Sequence, residues 1–392
     1  IMQSPILDRV ILGIDPGYRT GCKVAVISKT GSVLDHVNIY PTKPQEKIKE
    51  SKEILAKLIK KYDVSLIAIG NGTASRETEK VVVELINELK KEDLFYSIVN
   101  EAGASIYSAS KLGQEEFPDL DVTVRGAISI ARRIQDPMAE LVKIEPKHIG
   151  IGQYQHDVNQ KQLTETLSDV IEDCVNKVGV DINTASFSLL SYISGMTKTM
   201  AKNLVSYRDE NGAFKNRDEI RKVKGIGPKA YTQSAGFLRI RNGENPLDNT
   251  AVHPESYEIA EKLYGKDLDK INISKLSKEL EVGELTLKDI IEELKRPGRD
   301  IREDMPKPIL RSDVLSIEDL EVGMELKGTV RNVVDFGAFI DIGIKNDGLV
   351  HISQISNKYI KHPSEVLKVS DVVKVKILEI DLEKQKVKLT MK

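Results

Sequence analysis

Near the middle of the chain, two glycines flank a single residue in Gly225-Ile226-Gly227-Pro228-Lys229. Glycine tolerates left-handed backbone, so such a turn can bring main-chain N–H groups close to an anion. A helix starting at Pro228 adds the favourable end of its dipole, and Lys224 and Lys229 add positive charge. This is chemistry for holding a phosphate, indifferent to base sequence. The bland alternative is a helix cap with proline in the first turn. Charge distribution favours the first reading. Net charge is only −2, from 58 Lys/Arg and 60 Asp/Glu, so the whole-chain balance says nothing about polyanions. Yet residues 195–245 hold 11 Lys/Arg against 5 Asp/Glu, whereas residues 246–304 hold 10 against 15. A related turn, Ile193-Ser194-Gly195-Met196, has one glycine and lacks the second, although Lys198 and Lys202 stand nearby as phosphate contacts.

Other chemistries find less support. The glycine turn lacks the Lys-Ser/Thr ending of a nucleotide-binding loop. Cys22 and Cys174 have no ligand-spaced partners, so neither a disulfide framework nor a zinc site is expected. His156 beside Asp157 resembles a general base without a nucleophile. Like Ala251-Val252-His253-Pro254-Glu255, that stretch reads as packing with hydrogen-bonded histidines. No apolar run approaches the roughly 18 residues that span a bilayer, and Ile1-Met2-Gln3-Ser4 is no signal peptide. A cytoplasmic location without membrane association is expected.

The elements that must position these residues follow from periodicity. Residues 10–15, 23–28 and 33–40 read as consecutive strands, 45–61 as an amphipathic helix and 64–69 as a strand. A helix over 75–90, a strand at 96–99 and helices over 101–111 and 124–134 complete a mixed α/β domain in ribonuclease-H-like order, ending near Pro137. Residues 163–240 read as short helices joined by glycine turns, and 246–304 as charged helices running into a connector rich in proline and arginine. Residues 325–334, 338–342, 348–352, 372–381 and 386–391 then read as the short strands of a small five-stranded barrel of OB type.

Within that barrel, GTVRNVVDFGAFIDIG followed by DGLVHIS, over residues 328–353, resembles the S1 RNA-binding domain. In such a barrel Phe336, Phe339 and His351 share a face where planar side chains stack on unpaired bases, while Arg331, Lys345 and Lys358 meet phosphates. The alternative is that these aromatics fill the barrel. The two glycine turns resemble tandem helix-hairpin-helix motifs, the second the better match.

Val10-Ile11-Leu12-Gly13-Ile14-Asp15-Pro16-Gly17 resembles the opening strand of Holliday-junction resolvases and their YqgF relatives, in which the aspartate binds catalytic magnesium. Two-metal hydrolysis needs several carboxylates converging on ions roughly 3.5–4 Å apart. Glu101 occupies the place of an acidic YqgF signature, but Asn100 and Ala102 stand where that signature has Asp and Arg. Gly70-Asn71-Gly72 replaces a resolvase glutamate. The last acidic position falls at Val124-Arg125, with Asp119, Asp121 and Asp136 as imperfect substitutes. An arginine there would oppose an ion and could itself meet a phosphate. A degenerate nuclease fold is favoured over an active one, and Asp15 is alternatively a strand-end turn former.

A YqgF-type domain, helix-hairpin-helix motifs and an S1 barrel, in that order, resemble the Tex family. GIGQYQHDV at 150–158, IEDCVN at 171–176, AGFLRI at 235–240 and RPGRD at 296–300 extend the resemblance. It implies a fragment lacking an N-terminal helical region, divided into an RNase-H-like domain (1–137), a helical connector (138–180), tandem helix-hairpin-helix motifs (181–244), an acidic helical linker (245–311) and an S1 barrel (312–392). The expected fold class is multi-domain, α/β with all-α and all-β modules. The function implied is a nucleic-acid-binding transcription accessory factor. RNA, above all single-stranded, is the expected partner, and DNA is left open. One alternative is a magnesium-dependent, structure-specific nuclease using Asp15 and Glu101, with no cofactor otherwise expected. Another is a scaffold docking on polymerase or ribosome.

Overall fold

Strands that are apolar on both faces need cover on both sides. The computed structural model, which describes every residue except 151, 153, 154, 306, 312–319, 345, 370 and 383, supplies that cover for the first sheet. The chain forms two compact units, Ile1–Met2 with Pro137–Met305 and Gln3–Asp136 with Pro306–Lys392.

In the second unit, β1 (Ile11–Asp15), β2 (Cys22–Ile27) and β3 (Val33–Ile39) form an antiparallel meander. Helix α1 (Ile48–Tyr62) leads to β4 (Leu66–Gly70), and α2 (Ser75–Leu89) to β5 (Phe95–Val99). Both strands run parallel to β1, in the sheet order β3-β2-β1-β4-β5. Short helices α3 (Ala104–Ala109) and α4 (Lys111–Glu116) precede α5 (Val122–Gln135). Strand periodicity divides the core. Leu12, Ile14, Val24, Val26, Ile67 and Ile69 pack on Leu55, Leu58, Val82 and Ile86 of α1 and α2. Ile11, Ala25, Leu66 and Ala68 pack on Ala127, Ile128 and Ala131 of α5. Each such side chain contributes about 1.5–3 kcal/mol by leaving water. Gly13 lets α5 lie directly on β1, since a Cβ there would stand 2.3 Å from the Ala127 carbonyl oxygen. This is a ribonuclease-H-like domain.

Its boundaries differ from expectation at one telling place. The helix expected over 101–111 starts only at Ala104, because Glu101 to Gly103 form a turn closed by Ala104 N–H on the Glu101 carbonyl at 2.9 Å. It also breaks at Ser110, whose hydroxyl caps α4 by accepting from Gly113 N–H.

The first unit is helical. Its opening helices are α6 (Pro137–Leu141) and α7 (Gln160–Val178), the latter capped by the Asn159 side chain. A two-residue strand β6 (Val180–Asp181) follows. Helices α8 (Phe187–Leu190) and α9 (Lys198–Asn211) bracket the first glycine turn. A 3-10 turn at Arg217–Lys222 and α10 (Pro228–Ser234) bracket the second. Strand β7 (Leu238–Arg239) pairs in parallel with β6, a contact too short to leave a sequence signal. Val175, Leu190, Ile193, Met196, Leu204, Ile220, Val223 and Ile226 form the core. Beyond it, α11 (Tyr257–Leu263), α12 (Ile273–Leu280) and α13 (Glu284–Lys295) enclose a core of their own, including Leu247, Leu263, Leu287 and Ile291. Arg217 joins the two cores. Buried, it donates to the carbonyls of Leu238, Thr250 and Val252 and to the Tyr257 hydroxyl.

The carboxyl-terminal module is a closed barrel of β8 (Glu325–Val334), β9 (Gly337–Asp341), β10 (Gly348–His351), β11 (Val372–Asp381) and β12 (Lys386–Thr390). Its order is β10-β12-β11-β8-β9, with β10 and β12 parallel. Val330, Ile340, Val350, Ile377 and Leu389 fill it. Just before the barrel, Arg311 exchanges two main-chain hydrogen bonds with Tyr96 on the edge strand β5, at 2.8 and 2.9 Å. Arg76 of α2 donates to the Ile344 carbonyl at 2.7 Å.

Candidate nucleic-acid interface

Phe336 sits in the turn between β8 and β9 and is 51% exposed. Phe339 is half-buried, and its ring meets Phe336 edge-to-face, centroids 6.3 Å apart. His351 lies across the ladder from Gly337. A Cβ at Gly337 would stand 2.2 Å from the Val350 carbonyl oxygen, so glycine permits the close approach that brings β10 beside the phenylalanine turn. The Ile352 N–H then bonds the Phe336 carbonyl at 2.9 Å. His351 Nδ1 lies 2.8 Å from the Ser353 hydroxyl and 3.3 Å from the Ser353 N–H, contacts that fix the ring beside the phenylalanine turn.

The basic residues divide. Lys358 is exposed, whereas Lys345 lies outside the described residues. Arg331 is exposed but already holds Asp341 at 2.7 Å. Burial alone would raise the Asp341 carboxyl, but Arg311, Arg331 and the Gly343 N–H outweigh it and hold the group below the ordinary range.

The two glycine turns share one geometry. Met196 N–H bonds the Ile193 carbonyl and Ile226 N–H the Val223 carbonyl, all four side chains are buried, and Gly195 and Gly225 adopt φ of 81° and 89°. The motifs also pack reciprocally: Gly195 abuts Gln233 of α10, and Gly225 faces Asn203 and Met200 of α9. Their surroundings differ. At the first turn, Asn176 Oδ1 accepts from Ser194 N–H at 3.0 Å and Glu172 accepts from the Ser194 hydroxyl at 2.8 Å. Both come from α7, distant enough in sequence to escape motif reading. Lys198 and Lys202 are exposed, with Lys202 over the Phe187 ring at 5.0 Å. At the second turn, Lys224, Gly225, Gly227 and Lys229 are all exposed, and among the described residues no carboxylate pairs with either lysine.

In the RNase-H-like domain, Asp15 at the end of β1 and Glu101 after β5 face each other. Burial, then the charge of Glu101, push the Asp15 carboxyl up to about 6, against an opposing effect of Lys23. Glu101 Oε2 is buried and, among the described residues, has no hydrogen-bond partner. A Cβ at Gly72 or Gly70 would meet Glu101, and one at Gly126 would meet Asp15 at 2.7 Å. These glycines make the room, a role invisible in one dimension. Arg125, read as standing in place of a metal ligand and free to meet a phosphate, instead donates to the carbonyls of Phe117 and Ser108. Asp121 caps α5 through Thr123 N–H. Among the described residues no three His, Cys, Asp or Glu side chains gather as a metal-binding set, and no helix is long and apolar enough to cross a membrane.

These modules define a class: proteins that combine an RNase-H-like domain, helix-hairpin-helix motifs and an S1 barrel. Residues 9–135 match the Tex protein YqgF-like domain, 175–239 the helix-hairpin-helix motif, 245–302 an HHH domain and 319–392 the S1 RNA binding domain. The third match covers the stretch expected to be an acidic linker. Across its full length the chain is 50% identical to Protein tex of Bordetella pertussis, 49% to Protein YhgF of Escherichia coli and 50% to Transcriptional accessory protein Tex of Neisseria gonorrhoeae. It covers 51%, 52% and 53% of them, about half the length of these relatives. Over the part it spans, the chain belongs to the Tex family.

Proposed function

We propose that this chain holds single-stranded RNA on the Phe336, Phe339 and His351 face and grips phosphates at Lys224, Gly225, Gly227 and Lys229, as part of a cytoplasmic transcription accessory factor. The observation that carries the proposal is the edge-to-face phenylalanine pair, with Phe336 exposed and Phe339 half-buried, beside the exposed His351. Rings in that setting stack on any base, so affinity is broad in sequence. Phosphate contacts add salt-sensitive binding, and several weak sites on one chain act through avidity. DNA is a second ligand, and polymerase or ribosome a docking partner. The division of labour runs over 1–137 as scaffold, 138–180 and 245–311 as connecting helices, 181–244 for phosphates and 312–392 for bases.

The test is binding of the full chain to single-stranded RNA, single-stranded DNA and duplex at two salt concentrations, with and without magnesium. Single-stranded RNA binds tightest. Phe336→Ala/Phe339→Ala loses roughly 1–3 kcal/mol per base stack, and unchanged affinity refutes the assignment. A second reading, metal-dependent cleavage, draws on the juxtaposition of Asp15 and Glu101. Cleavage of a branched or single-stranded substrate with magnesium or manganese, abolished by Asp15→Asn, is the result that would establish it.

A further inference from the structure

Beyond the face just described, the barrel presents one more aromatic side chain. Tyr359 is 90% exposed. An aromatic ring so fully in water contributes nothing to the core. Lys358 and Lys361 flank it, both exposed and, among the described residues, neither paired with a carboxylate.

The segment carrying Tyr359 is anchored on both sides. Before it, Lys358 N–H bonds the Ser356 hydroxyl at 3.1 Å. After it, Ile360 packs on the barrel core and Pro363 is buried. Glu365 accepts from the N–H groups of Lys361 and His362, both at 3.2 Å. His362 fastens the loop to the aromatic face. Its Nδ1 accepts from Ser364 N–H at 3.1 Å, which leaves the proton on Nε2, 3.1 Å from Asp335 Oδ1. Asp335 immediately precedes Phe336. Tyr359 lies three residues before His362, at most about 10 Å of extended backbone. A ring and two unpaired cations are thus held, by a side-chain clasp, to the same turn that carries Phe336.

We propose that Tyr359, with Lys358 and Lys361, is a second stacking and phosphate-binding station for single-stranded RNA, extending the strand path beyond Phe336, Phe339 and His351. The proposal rests on the assignment of those three residues as the first station. Stacking suits the ring because any base offers a flat face, and the flanking lysines suit the phosphates on either side of a stacked nucleotide.

The experiment measures fluorescence anisotropy of the full chain with oligouridylates of about four and about ten nucleotides, lengths bracketing part of an OB barrel's usual range. Tyr359→Ala lowers affinity for the longer oligonucleotide roughly five- to tenfold, the low end for one lost base stack. It leaves the shorter one unchanged, and Tyr359→Phe binds both like the unaltered chain. Phe336→Ala/Phe339→Ala weakens both lengths. Wild-type binding of the longer strand by Tyr359→Ala, alongside loss in the double variant, overturns the second station alone and leaves Tyr359 to a protein partner or none. Equal losses at both lengths, or a Tyr359→Phe that behaves like alanine, overturn it as well. Wild-type binding by the double variant instead removes the first station, and this inference with it.

Discussion

The acidic pocket of the RNase-H-like domain and the aromatic face of the barrel are made by the same device with opposite results. At the pocket, Gly13 seats α5 on β1, and Gly70, Gly72 and Gly126 leave space that two carboxylates fill, largely out of water. At the face, Gly337 seats β10 against β9, and the neighbouring Phe336 and His351 are turned to solvent. One site disfavours its own charge; the other holds rings ready for contact. The close approach of backbone is therefore no sign of catalysis in itself, because what occupies the space decides the chemistry.

The largest effects come from filling that space where main chain is the neighbour. Gly13→Ala and Gly337→Ala each lower the stability of their own domain by about 3 kcal/mol, because neither the α5 carbonyl nor the β10 carbonyl can swing aside. Thermal unfolding with domain-specific probes reads both. Single-stranded RNA binding survives the first substitution and is lost with the second; retention by both would show that the close approach at Gly337 does not shape the aromatic face.

Phe336→Leu keeps bulk and removes the flat ring. Affinity for single-stranded RNA falls by about 1–2 kcal/mol, while the unfolding midpoint in urea stays within about 0.5 kcal/mol, as expected of a half-exposed position.

For Asp15, the folded carboxyl keeps its proton to about pH 6, above its ordinary value of 3.8. The native state thus binds more protons than the unfolded one across that window. The contribution of Asp15 to stability is greatest below about pH 4 and declines as pH rises through 6. Asp15→Asn removes the charge and gains about 2 kcal/mol at pH 7, allowing for partial solvent screening. Below about pH 4 the gain vanishes. A gain of the same size at pH 4 and pH 7 in urea unfolding would show that the pocket is not its source.

The smallest effect separates the two glycine turns. Lys224→Gln/Lys229→Gln lowers the salt dependence of duplex binding by about 2 in the log–log slope, whereas Lys198→Gln/Lys202→Gln changes it by under about 1 because Glu172 already sits at the first turn. Equal slopes for the two pairs would erase that distinction.

Most of the fold was legible because its strands carry period-two or continuous apolar patterns, and β8 and β11 begin and end where the pattern does. The start of α3 was not, since Glu101-Ala102-Gly103 has helical composition but closes a turn. The core around Leu247, Leu287 and Ile291 leaves little signal in the sequence, because the outer faces of its helices are charged. At the sites, the sequence marked the rings and the glycine turns, which are local. The carboxylate cradle, the Glu172 and Asn176 partners and the inward turn of Arg125 depend on residues brought together from afar, and no spacing encodes them.

Arg311 contributes main chain to one partner and a guanidinium to another. Its backbone completes the open rim of the first sheet at Tyr96, a rim that would otherwise template pairing with a second chain. Its side chain, 3.6 Å from Asp341, helps neutralise a carboxylate buried in the barrel wall. Prising the barrel from the sheet would therefore do two kinds of harm at once, leaving a strand border unsealed and a sequestered anion short of one of its counter-charges.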